Sequence, residues 1–349
     1  MSDKLRIALA PGDGIGPEIT RACMNIFQAA GVLDRVEFEE VEMGQSVFAK
    51  GETRGMTDEA VEAIEQHGIL YKGPMGTPIG GGGKSINVTL RKTFGAFANL
   101  RHFQSLPGVE TVFSRAGVPV DFYVVRENVE GEYSEIGGRL NEGTEDEVVM
   151  KETVFTRKGV DRVMRYAFDL AATREARHVT SATKSNGITH TMPYWDERFA
   201  AISSEYPDIR TDQFHIDILT ANFVLHPDWF DVVVGSNLFG DILSDLGPAV
   251  AGTIGIAPGA NINPPREFPS MFEPVHGSAP DIAGRGIANP IGQIWSGAMM
   301  LEHLGHPEAA KAMEEAIETV LAEPSLHTPD MGGKATTADL GGAIAEALG

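Results

Sequence analysis

Hydrophobic and polar positions follow two different periods along the first third of the chain. Leu5-Arg-Ile-Ala-Leu-Ala10 is an apolar run of strand length. Residues 17–30 return apolar positions at the helical spacing, behind a proline suited to a first turn. Residues 36–42 predict a second strand, Thr57 a capped second helix, and Ile69-Leu-Tyr-Lys72 a third strand. Strand alternating with helix in this way predicts a parallel sheet with right-handed crossovers. A glycine-rich loop, Gly76-Thr-Pro-Ile-Gly-Gly-Gly-Gly-Lys84, comes next and is too short to be a linker. Between about 99 and 251, strands are predicted near 122–125, 147–155 and 178–182, and helices near 160–173 and 193–204. After Thr253 the pattern predicts a long loop rich in Gly, Pro and Asn. Three amphipathic helices follow, near 292–304, 307–322 and 337–348.

The class is therefore α/β, and 349 residues suit two domains or one large unit with two lobes. Hydrophobic residues make up 42%, enough for substantial cores. Cys23 is the only cysteine, which excludes an intramolecular disulfide and fits a reducing compartment. No apolar run approaches ~18 residues, and the first residues do not read as a signal peptide, so the expected location is cytoplasmic with no membrane partner. The net charge of −21 argues against nucleic acid as a partner. It leaves room for a small anion bound by local arginines.

Candidate chemistry collects at the predicted strand ends, where ligands bind in open α/β sheets. Asp241 and Asp245 lie four apart just after the apolar run Val232-Val-Val-Gly235, on one face of the next helix. Paired carboxylates of this kind suit a hard divalent cation; a solvated helix face is the plainer alternative. Asp217, flanked by apolar residues in His215-Ile-Asp-Ile-Leu219, is a candidate buried third acid or a helix cap. Arg91, Arg101 and Arg126 suggest a di- or tricarboxylate site, because a guanidinium pairs with carboxylates through two bonds. Tyr133 and Lys184 are candidate proton carriers, against a packed loop aromatic and an exposed turn lysine. Gly12-Asp-Gly-Ile-Gly-Pro17 invites a dinucleotide-fold reading, but proline stands where G-x-G-x-x-G needs glycine. A tight strand-to-helix turn explains it better. In the stretch from Glu273 to Pro290, Gly277 and Gly284 would let backbone approach a ligand. Asp281 suits a ribose diol and would repel a 2′-phosphate, and Asn289 suits an adenine edge.

Two segments, Asn237-Leu-Phe-Gly-Asp-Ile-Leu-Ser-Asp245 and His276-Gly-Ser-Ala-Pro-Asp-Ile-Ala-Gly284, strongly resemble the β-decarboxylating dehydrogenases. That family covers isocitrate, 3-isopropylmalate, homoisocitrate and tartrate/D-malate dehydrogenases, and the resemblance runs from Pro11 to Asp330. It implies a two-lobed α/β isocitrate/isopropylmalate-dehydrogenase-like fold, unlike the Rossmann fold, with the site in the cleft between lobes. The large, nucleotide-binding domain would be 1–97 with 252–349, and the small domain 98–251, with the metal ligands and dimer interface. Arg91, Arg101 and Arg126, with Ser85 and Asn87, would bind substrate. Tyr133 and Lys184 would be the acid–base pair, and Asp217, Asp241 and Asp245 would hold Mg2+ or Mn2+. The cofactor would be NAD, contacted by Ile15, Thr77, Glu273, His276, Gly277, Ser278, Ala279, Pro280, Asp281 and Asn289. Lys184 and Asp217 would come from a neighbouring subunit, so a homodimer is the minimum active unit and a higher homo-oligomer is open.

The substrate signals conflict. Asp121-Phe-Tyr-Val-Val-Arg-Glu-Asn128, Met192-Pro-Tyr-Trp-Asp-Glu-Arg198 and Gly252-Thr-Ile-Gly-Ile-Ala-Pro258 resemble tartrate/D-malate dehydrogenases. The segment carrying Ser85 and Asn87 instead resembles NAD-type isocitrate dehydrogenases. The expectation is a (2R)-malate-type acid, D-malate or tartrate ahead of isocitrate. 3-Isopropylmalate is disfavoured because an alkyl group would leave Ser85 and Asn87 unpaired. A non-catalytic regulatory subunit is a further alternative, opposed by the full set of catalytic residue types.

Overall fold

The computed structural model describes residues 4–76, 86–111 and 117–349. In chain order its strands are β1 (Leu5–Ala10), β2 (Val36–Glu40), β3 (Ile69–Lys72), β4 (Ala98–Gln104), β5 (Asp121–Glu127), β6 (Gly137–Leu140), β7 (Val148–Lys151), β8 (His178–Thr183), β9 (Arg210–His215), β10 (Val232–Gly235), β11 (Gly259–Ile262) and β12 (Ser270–Phe272). The helices are α1 (Gly16–Ala29), α2 (Gln45–Ala49), α3 (Asp58–His67), α4 (Ile86–Thr93), α5 (Arg157–Thr173), α6 (Thr191–Ser203), α7 (Ile216–Leu225), α8 (Asn237–Ala251), α9 (Ile291–His303), α10 (Pro307–Leu321) and α11 (Thr337–Ala347).

Local chemistry accounts for the ends of several of these. Pro17 sits in the first turn of α1, and the Thr57 hydroxyl caps α3 by accepting from the Ala60 N–H at 3.2 Å. Thr336 and Asp339 close a reciprocal capping box on α11. Strands β3 and β10 are buried at every position, as strands covered on both faces must be; β10 reads as an unbroken apolar run, while β3 ends in the buried Lys72.

Ten strands form one mixed sheet in the order β2-β1-β3-β12-β11-β4-β5-β10-β8-β9. Strand β4 runs antiparallel to both β5 and β11, and β11 antiparallel to β12; the other pairings are parallel. This order is not that of a dinucleotide-binding fold, so the Gly12–Pro17 turn has a different purpose. Gly12 and Gly14 take φ of +89° and +58°, and the turn is tied down by the Ile15 N–H donating to the Ser278 carbonyl at 2.9 Å. Strands from residues 1–97 and 252–349 fill one half of the sheet, and strands from 98–251 the other, meeting where β4 pairs with β11.

Two expectations need correcting. The segment after Thr253 is not one long loop: it contains β11, whose Gly and Asn hide it from pattern reading, and β12, which at three residues is too short to show a period. The strand expected at 147–155 is only β7, paired with β6 as a separate two-stranded arm. Every residue of that arm's two strands is exposed, so no burial alternation marked its limits. Among the described residues, no helix is long and apolar enough to cross a membrane.

Candidate active site

Sheet pleating decides which side chains meet. Asn99 of β4 pairs with Arg126 of β5 and Arg101 with Val124, so the two arginines share a face. His102 and Tyr123 face the other way. Helix α4 carries Asn87 and Arg91 one turn apart toward the same region. All three guanidiniums are buried. Arg126 donates from Nε and Nη2 to the Asn237 amide oxygen at 3.1 and 2.7 Å, and from Nη1 to Asp241. Arg101 Nε donates to Asn99 Oδ1 at 2.7 Å, and Arg91 Nη2 to Glu273 Oε1 at 3.2 Å. Burial pulls Arg101 and Arg126 down to about 10, and neighbouring Arg91 adds to this, yet both stay charged at neutral pH.

Beneath them, Lys72 at the carboxyl end of β3 meets Glu273 Oε2 at 2.5 Å, with Lys72 wholly inaccessible. Burial alone would raise the Glu273 pKa, but Lys72, Arg91 and Arg101 hold it well below the carboxylate range. Both Glu273 oxygens are thus engaged inside the arginine cluster, where the carboxylate stands as counter-charge to Lys72 and Arg91. Asn87 Oδ1, Arg91 Nε and Arg101 Nη1 are among the buried polar atoms with no partner among the described residues. Such groups cost about 1–3 kcal/mol each unless a ligand completes them. Ser85 and Thr77 lie outside the described residues.

Asp241 and Asp245 stand one turn apart on α8, whose start is capped by the Ser236 hydroxyl accepting from the Phe239 N–H. Tyr133 donates its hydroxyl to Asp241 Oδ2 at 2.7 Å. Burial, then Asp241, raises the tyrosine to about 12, so it carries its proton at neutral pH. Burial and the Asp241 charge also raise the Asp245 carboxyl. An all-oxygen pair with one member already short of positive charge fits a hard divalent cation. Among the described residues no group of three Asp, Glu, His or Cys converges within this chain. Asp217 is elsewhere: it begins α7 and pairs with Lys184 Nζ at 2.6 Å. Its side chain is 68% accessible, which overturns the expectation of a buried acid. The misleading neighbour, Ile218, is itself exposed on the chain's surface.

A cavity of about 610 Å³ lies beside the glycine turn. Ile15, His276, Gly277, Ala279 and Asn289, five of the residues the resemblance assigns to the cofactor, line it together with Ile254, Ile287 and Asp330. Ser278, Pro280 and the exposed Asp281 belong to the same loop but not to this lining. His276 is neutral, its pKa lowered by burial, and its Nε2 is buried without a partner among the described residues. An apolar slot with one unfilled imidazole edge fits a planar heteroaromatic base. Asn289 spends its amide on Asp330 at 3.0 Å and on the Ile291 N–H at 3.0 Å, so one N–H remains for a ligand.

Buried arginines beside paired acids suit a carboxylated substrate, and the slot suits a planar base. The sequence profile of the isocitrate/isopropylmalate dehydrogenases matches residues 6–344, and the chain belongs to that family. It is therefore an oxidoreductase of the decarboxylating kind that acts on CH–OH donors. It is 50% identical to the D-malate dehydrogenase [decarboxylating] of Escherichia coli strain K12, over 100% of this chain and 99% of that one. It is also 50% identical to the tartrate dehydrogenase/decarboxylase of Pseudomonas putida, over 98% and 97%. The solved isocitrate dehydrogenase from Methylococcus capsulatus superposes with a TM-score of 0.90 at 41% identity, covering 98% and 99% of the two chains.

Sequence reasoning missed Lys72, Asn99, Asn261 and Asp330. Lys72 had a usable signal, standing at the end of a strand as Arg126 does. The asparagines had none, because an amide buried by tertiary contact looks like any loop asparagine.

Proposed function

We propose that this chain oxidises and decarboxylates a (2R)-malate-type acid, D-malate or tartrate before isocitrate, with NAD and Mg2+ or Mn2+. The observation that carries the proposal is the set of unfilled buried donors on Arg91 and Arg101 beside Arg126. They suit two carboxylates, and the names of the 50%-identical relatives point to the same substrates. Lys72, Arg91, Arg101 and Arg126 outnumber Glu273, Asp241 and Asp245 by one charge, which favours an anion.

Asp241 and Asp245, with Asp217 of a second copy, would hold the cation. When bound, it supplies Lewis-acid stabilisation of negative charge on the substrate's 2-oxygen. The arginines fix both carboxylates so that C2 faces the nicotinamide. Lys184 would take the 2-hydroxyl proton, and NAD, when bound, would supply the acceptor for the C2 hydride. The bond from C3 to its carboxylate then breaks, releasing CO2 and moving the electron pair toward the 2-oxygen as an enolate. Tyr133, protonated at neutral pH, returns a proton to C3. Apolar walls such as Ile254 and Ile287 would receive the adenine, and the acid at Asp281 would favour NAD over NADP.

The active unit is a homodimer or higher homo-oligomer with shared sites. Lys184 and Asp217 bind each other while Tyr133 binds Asp241, so one chain holds two half-sites. The half-site with Lys184 and Asp217 lies among exposed apolar side chains, Ile218, Val224 and Leu225 of α7 and Ile242 of α8. The arm adds Leu140, Val149 and Met150. Exposed large apolar side chains on these elements suit an interface between copies of the chain. The proposed division into domains 1–97 with 252–349 and 98–251 follows the two halves of the sheet and would let the cleft close.

A kinetic panel of D-malate, tartrates, isocitrate and 3-isopropylmalate with NAD and Mn2+ tests the substrate. An isocitrate kcat/KM about tenfold above the others, or ~1.4 kcal/mol, would reverse the ordering.

A further inference from the structure

Behind the arginines runs a buried chain of amides with no assigned role. Arg91 Nη2 donates to Glu273 Oε1 at 3.2 Å, and Asn261 Nδ2 donates to the same oxygen at 2.8 Å. Asn261 Oδ1 accepts from Asn99 Nδ2 at 2.7 Å and from Asn128 Nδ2 at 2.9 Å. Asn99 Oδ1 then accepts from Arg101 Nε at 2.7 Å. Asn99 and Asn261 are wholly inaccessible, and Asn128 and Glu273 nearly so. Asn99 and Asn261 each have the amide oxygen toward donors and the nitrogen toward an acceptor, so flipping either would set like groups together. Asn99 and Asn261 also face each other in register across β4 and β11, where the two halves of the sheet join. Opposite Arg101 stands Gly259: a methyl there would lie 2.7 Å from Arg101 Nη1.

We infer that Asn261 and Asn99 are positioning residues that lock Arg101 to Arg91, so the two guanidiniums present their unfilled donors at a fixed separation matched to a short dicarboxylate. The inference rests on the proposed substrate reading and adds what sets its geometry. An arginine held by one neutral acceptor on a long side chain would sample several rotamers. A rigid amide relay to a shared carboxylate removes that freedom before substrate arrives. The effect belongs to substrate binding, since neither asparagine is within the nucleotide cavity.

The test is a double-mutant cycle in the full-length enzyme with D-malate, NAD and Mn2+. Asn261→Leu keeps the branched shape and removes all three hydrogen bonds; KM for D-malate should rise about tenfold to a hundredfold with kcat within about threefold. NAD binding, read by nucleotide fluorescence, should not change. In an Arg101→Lys background the same substitution should cost less than about threefold, because the group it positions is gone. If Asn261→Leu does not fold, Asn99→Ala removes the acceptor of Arg101 Nε and leaves Asn261 on Glu273; the same pattern is expected. Additive effects of the two changes would overturn the coupling while leaving Arg101 a substrate ligand. An Arg101→Lys enzyme with unchanged KM would overturn the substrate reading itself, and the inference with it.

Discussion

Glu273→Gln should expose how much the arginine cluster depends on one buried carboxylate. Lys72 is 0% and Glu273 3% accessible, and their charged atoms are 2.5 Å apart. Removing one partner of such a pair leaves an unpaired buried charge, which costs about 3–5 kcal/mol. Typical domain stabilities of about 5–15 kcal/mol make that a large fraction. The pH dependence carries a second signature. In the wild type Glu273 titrates well below its ordinary 4.5, so its contribution is complete above that pH and fades as acid is added. Glutamine abolishes this acid limb. It also removes the charge that opposes desolvation of Lys72, whose pKa is already lowered from its ordinary 10.5 by burial. The unfolded lysine then holds a proton that the folded one gives up more readily. Stability of the variant should therefore rise with pH, by at most about 1.4 kcal/mol per unit. Urea unfolding at pH 5, 7 and 9, followed by tryptophan fluorescence at fixed protein concentration, measures both effects. A deficit under about 1 kcal/mol at pH 7, or one that does not shrink by pH 9, would refute the buried-pair argument.

Three further outcomes are expected. Lys184→Met and Asp241→Asn should each lose about 10²-fold or more in turnover. Unfolded together and co-refolded in equal amounts, they should recover about a quarter of wild-type activity, since half the dimers carry one intact shared site; no recovery would mean that sites are not shared. Asp281→Lys should narrow the preference for NAD over NADP in kcat/KM at least about tenfold by replacing a repulsive charge with an attractive one; an unchanged ratio would place the determinant elsewhere. Leu225→Asp, at a residue 65% accessible in the single chain, should shift sedimentation toward monomer and abolish activity together; an active monomer would contradict a shared site.

Much of the site was readable as residue types at strand and helix ends. Asp241 and Asp245 declare themselves by an i, i+4 spacing after a buried strand, and Arg126 by ending another. Helix caps at Thr57 and Thr336 are local hydrogen bonds, so they too are written in a few consecutive residues. Strands β11 and β12 were not legible, because they are only four and three residues long and set between Gly-, Pro- and Asn-rich stretches.

Sequence by itself determined the α/β class, the helical faces, the family and the identity of the charged groups, since each depends on local period or on a short motif. Tertiary structure alone decided which of those groups meet. It brought Glu273 under Arg91 across 182 positions, joined Asn99 to Asn261 across 162, and set Asp217 on the surface with Lys184 rather than beside Asp241. Such pairings follow from strand order and pleat in a sheet whose neighbours lie far apart in the chain, and no local pattern records them.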